Sequence, residues 1–246
     1  MFTREAIVTE IHMVIKDQLE RIGFLLDSQN DLGKYIKKHD WGTDYCFLPI
    51  IHFQPEHVTF SISIHRRINF IEEIWQDWRK LVNVNIEDPN DLTTLYITEK
   101  NSYPEIVNEK YYDGHGAFKF EISPTGLIEL REIVETIFKK KIEVKLNEFR
   151  DLKNIDKLLN SDLDPPQNVN EIFNVDGGFM FKRMIVAKSV GNPIYDKMCE
   201  LYLSRFEKII EFAKTPGKEY FLNYPVVFEK VRERLKEFEQ RVNTIL

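Results

Sequence analysis

The sequence predicts an α+β protein: a mostly antiparallel, twisted sheet carrying two packed helices in the N-terminal half, followed by a helical C-terminal half. Three observations lead there. Val58, Phe60, Ile62 and Ile64 alternate strictly with Thr59, Ser61 and Ser63, the period-2 mark of a half-buried strand. Apolar residues recur at helical spacing on both sides of that strand. After Ser123-Pro124, a Ser cap with Pro at the first helical position, no further convincing strand occurs.

Taken in order, Ile7, Ile11, Val14 or Ile15, Leu19 and Ile22 form a helical stripe that opens behind Thr3 and stops at Gly23. Phe24-Leu25-Leu26 and Lys34 to Lys38 read as two strands joined through the turn-rich Asp27 to Asp31. Residues 44 to 53 partner the alternating strand through a turn at Gln54-Pro55. This register sets Ile51, Pro49, Phe47 and Tyr45 opposite Val58, Phe60, Ile62 and Ile64, and makes one face wholly apolar. On the other face it sets His52 opposite His57, Ile50 opposite Thr59, Cys46 opposite Ser63 and Asp44 opposite His65.

A second helix opens at Asn69, with Glu72 three residues on, and continues through Phe70, Ile71, Ile74, Trp78, Leu81 and Val82. Leu92 to Glu99 and Gly116 to Ser123 are two further expected strands. Beyond Pro124 come Leu127, Leu130, Val134, Ile137 and Phe138, with a break expected near Lys141. Leu146, Phe149, Leu152, Ile155 and Leu159 follow. Phe179 to Val190 is read as helical, and Asn192-Pro193 opens a helix through about Ala213. After Pro225, Phe228, Val231, Leu235, Phe238, Val242 and Ile245 keep a/d spacing for too few heptads to make a coiled coil. The seam therefore packs on its own chain or, alternatively, joins a homodimer. Residues 1–123 and 124–246 are expected to form a sheet region and a helical region around one core.

With 246 residues the chain can bury roughly 70 to 75% of its unfolded surface without disulfide or metal. Cys46 and Cys199, far apart and outside any motif, read as free thiols. The start Met1-Phe2-Thr3-Arg4-Glu5 runs straight into an amphipathic pattern without an apolar signal core, so a cytoplasmic location is expected. No segment approaches the length of a membrane span. A net charge of −6 argues against sequence-independent nucleic-acid binding.

The sharpest chemical candidates are His52 and His57, helped by His65, as ligands of a divalent metal on the polar hairpin face; two histidines flanking an exposed turn are the plainer reading. No cofactor is predicted. His39-Asp40 could form an oriented imidazole, a turn into the hairpin with Trp41 covering the core edge being the plainer reading, and Arg66-Arg67 could fork onto a phosphate or carboxylate. His115, between two glycines, reads as a turn. Residues 158–181 hold no Lys or Arg but carry Asp162, Asp164, Glu171 and Asp176, an acidic loop suited to a basic protein partner. Nucleotide, hydrolase-elbow, zincin and EF-hand motifs are absent.

Two segments carry a resemblance: Asn147-Glu148-Phe149-Arg150-Asp151-Leu152 leading to Leu158-Leu159, and Ile185-Val186-Ala187-Lys188 followed by Gly191-Asn192-Pro193. Set behind a helix, sheet and helix, they make the chain similar to a group of uncharacterised bacterial α+β domains that includes suspected toxin-immunity proteins. The group supplies no functional residues to carry over. The expected function is thus a non-catalytic interaction protein with an immunity-like role. The alternative is a metal-assisted hydrolase or metal-binding protein on the His52/His57/His65 face.

Overall fold

The computed structural model describes residues 3–27, 33–88, 92–97, 111, 117–164 and 178–245. The protein is α+β, with antiparallel sheets in its N-terminal half and helices in its C-terminal half. His115, Glu171 and Asp176 lie outside the described residues.

The chain divides into two compact units, and neither follows the midpoint of the sequence. The first comprises Met1–Arg66 and Leu95–Arg150, the second Arg67–Thr94 and Asp151–Leu246. The division expected near residue 123 thus runs elsewhere, because each half lends helices to the other. Helix α3 (Pro124–Ile137) buries Leu130, Val134 and Ile137 and packs on the first helix and a strand of the first unit. Helix α2 (Asn69–Trp75) buries Ile71, Ile74 and Trp75 among helices of the second.

In the first unit, α1 (Arg4–Arg21) starts where the Thr3 hydroxyl accepts from the Ala6 amide, and it buries Ile7, Ile11, Val14, Ile15 and Leu19. Gly23, at φ 90°, provides the left-handed residue that turns the chain out of the helix. A five-stranded sheet follows the order β1 (Leu25–Leu26), β2 (Lys34–His39), β3 (Gly42–Phe47), β6 (Ile64–Ile68), β7 (Leu95–Tyr96). A three-stranded sheet holds β4 (His52–Phe53), β5 (His57–Phe60) and β8 (Phe118–Glu121).

The expected long hairpin is therefore divided between two sheets. Its first arm leaves the larger sheet after Phe47 and re-enters pairing only at His52, across a stretch where Pro49 has no amide hydrogen to give a ladder. Its turn spans Gln54 to His57, the Gln54 amide donating to the His57 carbonyl over 2.8 Å. Phe53 pairs with Val58 and His52 with Thr59, a slip of two residues from the expected register that keeps these four side chains on their expected faces. Between β3 and β6, by contrast, Tyr45 meets His65 and Asp44 meets Arg66 in place of the expected Tyr45–Ile64 and Asp44–His65. Val58, Phe60, Ile62 and Ile64 are buried as the alternation demands. The opposite face of β3 is not open, since Asp44 and Cys46 are 1% and 0% exposed.

Of the expected strand at Leu92–Glu99, Leu95–Tyr96 pairs with Arg66 and His65, and the Ile97 amide extends the ladder to the Ile64 carbonyl. The break expected near Lys141 is instead a π-helical turn, Phe138–Ile142, which carries α3 onward into α4 (Glu143–Glu148). The extra residue keeps Phe138, Ile142 and Leu146 all buried while Lys139 and Lys140 face solvent.

The second unit joins α2 and a following 3-10 segment (Gln76–Val82) to α5 (Leu152–Leu159), α6 (Phe179–Ser189), α7 (Ile194–Phe212) and α8 (Tyr224–Ile245). Asn192 caps α7 by accepting from the Ile194 amide. Lys182 is wholly buried yet satisfied, donating to the Thr93 carbonyl over 2.7 Å and lying 3.6 Å from Glu72. Glu72 in turn accepts from Thr94 and from the Trp75 indole.

The first part of the apolar seam of α8 packs in its own unit: Phe228, Val231 and Leu235 are at most 1% exposed, and α8 meets α2, α6 and α7, while the side chains of Phe238, Val242 and Ile245 lie outside those described. Leu235→Ala is therefore expected to lower unfolding free energy by about 2–5 kcal/mol, read as a reduced urea midpoint. Leu235→Glu should abolish cooperative melting; a folded monomer released from a dimer would contradict this placement.

Candidate functional site

The structure distributes the three candidate metal ligands between the two sheets of the first unit. His52 and His57 lie on the same face beside the β4–β5 turn, the former exposed and the latter half-buried, with His52 directly across from Thr59. His65 lies on β6 of the other sheet. Its ring stacks on Tyr45 (centroids 5.2 Å apart), meets Tyr96 edge-on at 4.8 Å, and hydrogen-bonds Ser63 over 3.3 Å. Burial, with the nearby positive Lys34 adding to it, pushes its pKa down to about 4, so the imidazole is neutral and serves as a packed aromatic. Among the described residues no group of three or more His, Cys, Asp or Glu is arranged to hold a metal ion.

The acidic stretch is described only in part. Asp162 accepts from the Leu163 amide, and its carbonyl receives Arg183; Asp164 pairs with Arg205 at 3.2 Å while remaining 78% exposed.

The densest charged constellation lies elsewhere, at the floor of a polar cavity in the first unit. Asp44 on β3 and Arg66 on β6 form a forked pair, Nε to Oδ1 at 2.6 Å and Nη2 to Oδ2 at 2.8 Å, with both side chains at most 1% exposed. The third guanidinium nitrogen donates to the Leu146 carbonyl over 3.0 Å. The fork expected of Arg66 thus closes on a carboxylate belonging to the chain itself. His39 Nε2 lies 3.0 Å from Asp44 Oδ2, so the carboxylate orienting this imidazole is Asp44 and not the adjacent Asp40. Trp41 completes the layer, stacked on His39 at 4.5 Å and facing the Arg66 guanidinium at 4.8 Å.

Burial alone would push the Asp44 carboxyl upward. Hydrogen bonds from Arg66 and His39, together with their charge, outweigh it and hold the group below its ordinary value. Asp44 is therefore a fixed anion and Arg66 its fixed cation.

Above this floor the cavity, of about 130 Å³, is walled by Arg21, Lys37, Glu143, Asn147 and Arg150. Arg21 donates to Glu143 over 2.6 Å, and Lys37 reaches the Ile22 carbonyl at the end of α1 over 2.6 Å. The side chains of Arg150 and Asn147 make no hydrogen bond or ion pair among the described residues, and both are exposed at the rim. The arrangement offers oriented N–H donors around a small space, a receptor for a group rich in acceptors.

The sequence alone did not single out this cavity as a site. One signal was present: an Asp inside a strand whose every neighbour is apolar or small must find a cation when both faces of its sheet are covered. Comparison with known proteins finds no matching family model, curated relative or solved structure. No helix among the described residues is long and apolar enough to cross a membrane.

Proposed function

We propose that this chain is a non-catalytic binding protein that captures an anionic group of its ligand or partner in the polar cavity of the first unit. One observation carries the reading. Four cationic side chains and two carboxylates line a space of about 130 Å³, and the innermost pair is already spent on itself. Part of this charge is held in place, Lys37 by the Ile22 carbonyl and Arg21 by Glu143, and donors held in place lose little freedom when an anion arrives. The pairing of Asp44 with both Arg66 and His39 favours binding over proton transfer, because each is committed to a structural partner. In an immunity-like role the captured group belongs to a protein partner.

The test is thermal unfolding of the wild type and Arg150→Glu with millimolar sodium salts of small oxyanions. An anion at ten times its Kd adds about 1.4 kcal/mol of stability and raises Tm by roughly 3 °C for a chain of this size. The wild type is expected to show that rise and the variant to lose it. Equal responses of the two proteins would sink the reading.

A further inference from the structure

We infer that the anionic group held in this cavity is a carboxylate rather than a phosphate; the assignment rests on the cavity being an anion site. Size, charge and donor geometry each point the same way.

A whole small-molecule ligand occupies a pocket of roughly 300–1,000 Å³. At about 130 Å³ this cavity admits a single functional group and leaves the rest of the ligand outside.

Counted formally, the lining carries two more cations than carboxylates. Two helix ends reduce that excess. The Ile22 carbonyl closes α1 beside Lys37, and the Leu146 carbonyl closes the long α3–α4 helix beside Arg66. Each helix C-terminus contributes roughly −0.5 charge, which leaves a field near +1. That balance suits a monoanion. A phosphate monoester, close to a dianion at neutral pH, would carry a second charge toward Glu143, whose carboxylate lines the wall.

Donor geometry agrees. Arg66 already spends one N–H of each nitrogen on Asp44 and the Leu146 carbonyl, and its side chain is 0% exposed. The donors nearest the rim are the Arg150 guanidinium, the Asn147 amide and the remaining hydrogens of the Lys37 ammonium. A planar guanidinium fork matches the two oxygens of a carboxylate, and an amide N–H beside it completes the set. The carboxylate can come from an acidic side chain, a chain terminus or a free small acid.

The experiment is an NMR titration of the full chain at pH 7.5 with sodium acetate, sodium phosphate and two short peptides. One peptide contains a single Glu and is blocked at both ends; the other contains only Ala and has a free C-terminal carboxylate. The Asn147 side-chain amide and Arg150 Nε–H signals are expected to shift with acetate, and affinity should fall about tenfold in Arg150→Gln. Either peptide binding more tightly than acetate supports the assignment and identifies the source of the carboxylate. Phosphate binding as tightly as acetate overturns the carboxylate assignment while leaving the anion site standing. No shift with any anion, or unchanged affinity in Arg150→Gln, overturns both. Because Arg150 is exposed and pairs with nothing among the described residues, the variant keeps its fold.

Discussion

Arg66→Met is expected to destabilise the protein by about 3–5 kcal/mol, because it leaves the Asp44 carboxylate buried with only His39 as a partner. Asp44→Leu alone should cost a similar amount by stranding the guanidinium. The double variant should recover much of the loss, since replacing both charges by apolar groups removes the desolvation cost along with the attraction. Urea unfolding of the four proteins gives the coupling directly. Losses that simply add would show that the pair does not act as a unit. A pH series adds a signed test. Asp44 is held below its ordinary value, so its contribution is complete above the unfolded carboxyl pKa of about 4 and is lost as pH falls through the lower folded value. Asp44→Leu should remove that part of the acid limb.

The wild type should also lose about 2–3 kcal/mol between pH 7.5 and 4.5 through His65 alone. The folded imidazole takes a proton only near pH 4, whereas the unfolded one takes it near 6.5. A histidine with a depressed folded value contributes stability that is complete above the unfolded pKa and declines as pH falls toward the folded one. His65→Phe preserves the contacts with Tyr45 and Tyr96 but cannot bind a proton. Its urea midpoint should therefore fall less over this range. Parallel wild-type and variant profiles would place the titration on another group, and would return His65 to the list of available ligands.

Much of the fold was legible because burial writes directly into periodicity. The stripe of α1, the alternation of β5 and β8, and the buried a/d positions at the start of α8 all stand where spacing placed them. The hairpin shows where such reading stops. Alternation fixes which residues of one strand share a face, and that survived within β5. It does not fix which residue opposes which, for the turn moved the β4–β5 pairing by two, and between β3 and β6 His65 meets Tyr45 and Arg66 meets Asp44 where Asp44–His65 and Tyr45–Ile64 were expected. Nor does it show that a strand changes sheets, as this chain does between Phe47 and His52. The cavity was hidden for a related reason. Asp44, Arg66 and Arg150 come from two strands and the residues after a helix, 22 and 84 positions apart along the chain, and no local spacing marks charges that meet only after the sheet and helix have closed.

The interleaving of the two units has a consequence for synthesis on the ribosome. Since each unit is assembled from two separated stretches, the first lacks Leu95–Arg150 until more than half of the chain has emerged, and the second opens with Arg67–Thr94 but waits for everything after Asp151. Helix α1 therefore lacks α3, and β5 lacks its pairing strand β8, until about half of the chain has emerged. Until β8 arrives, the edge of β5 that it covers is open to pairing with other chains, and the first unit cannot close as a finished domain.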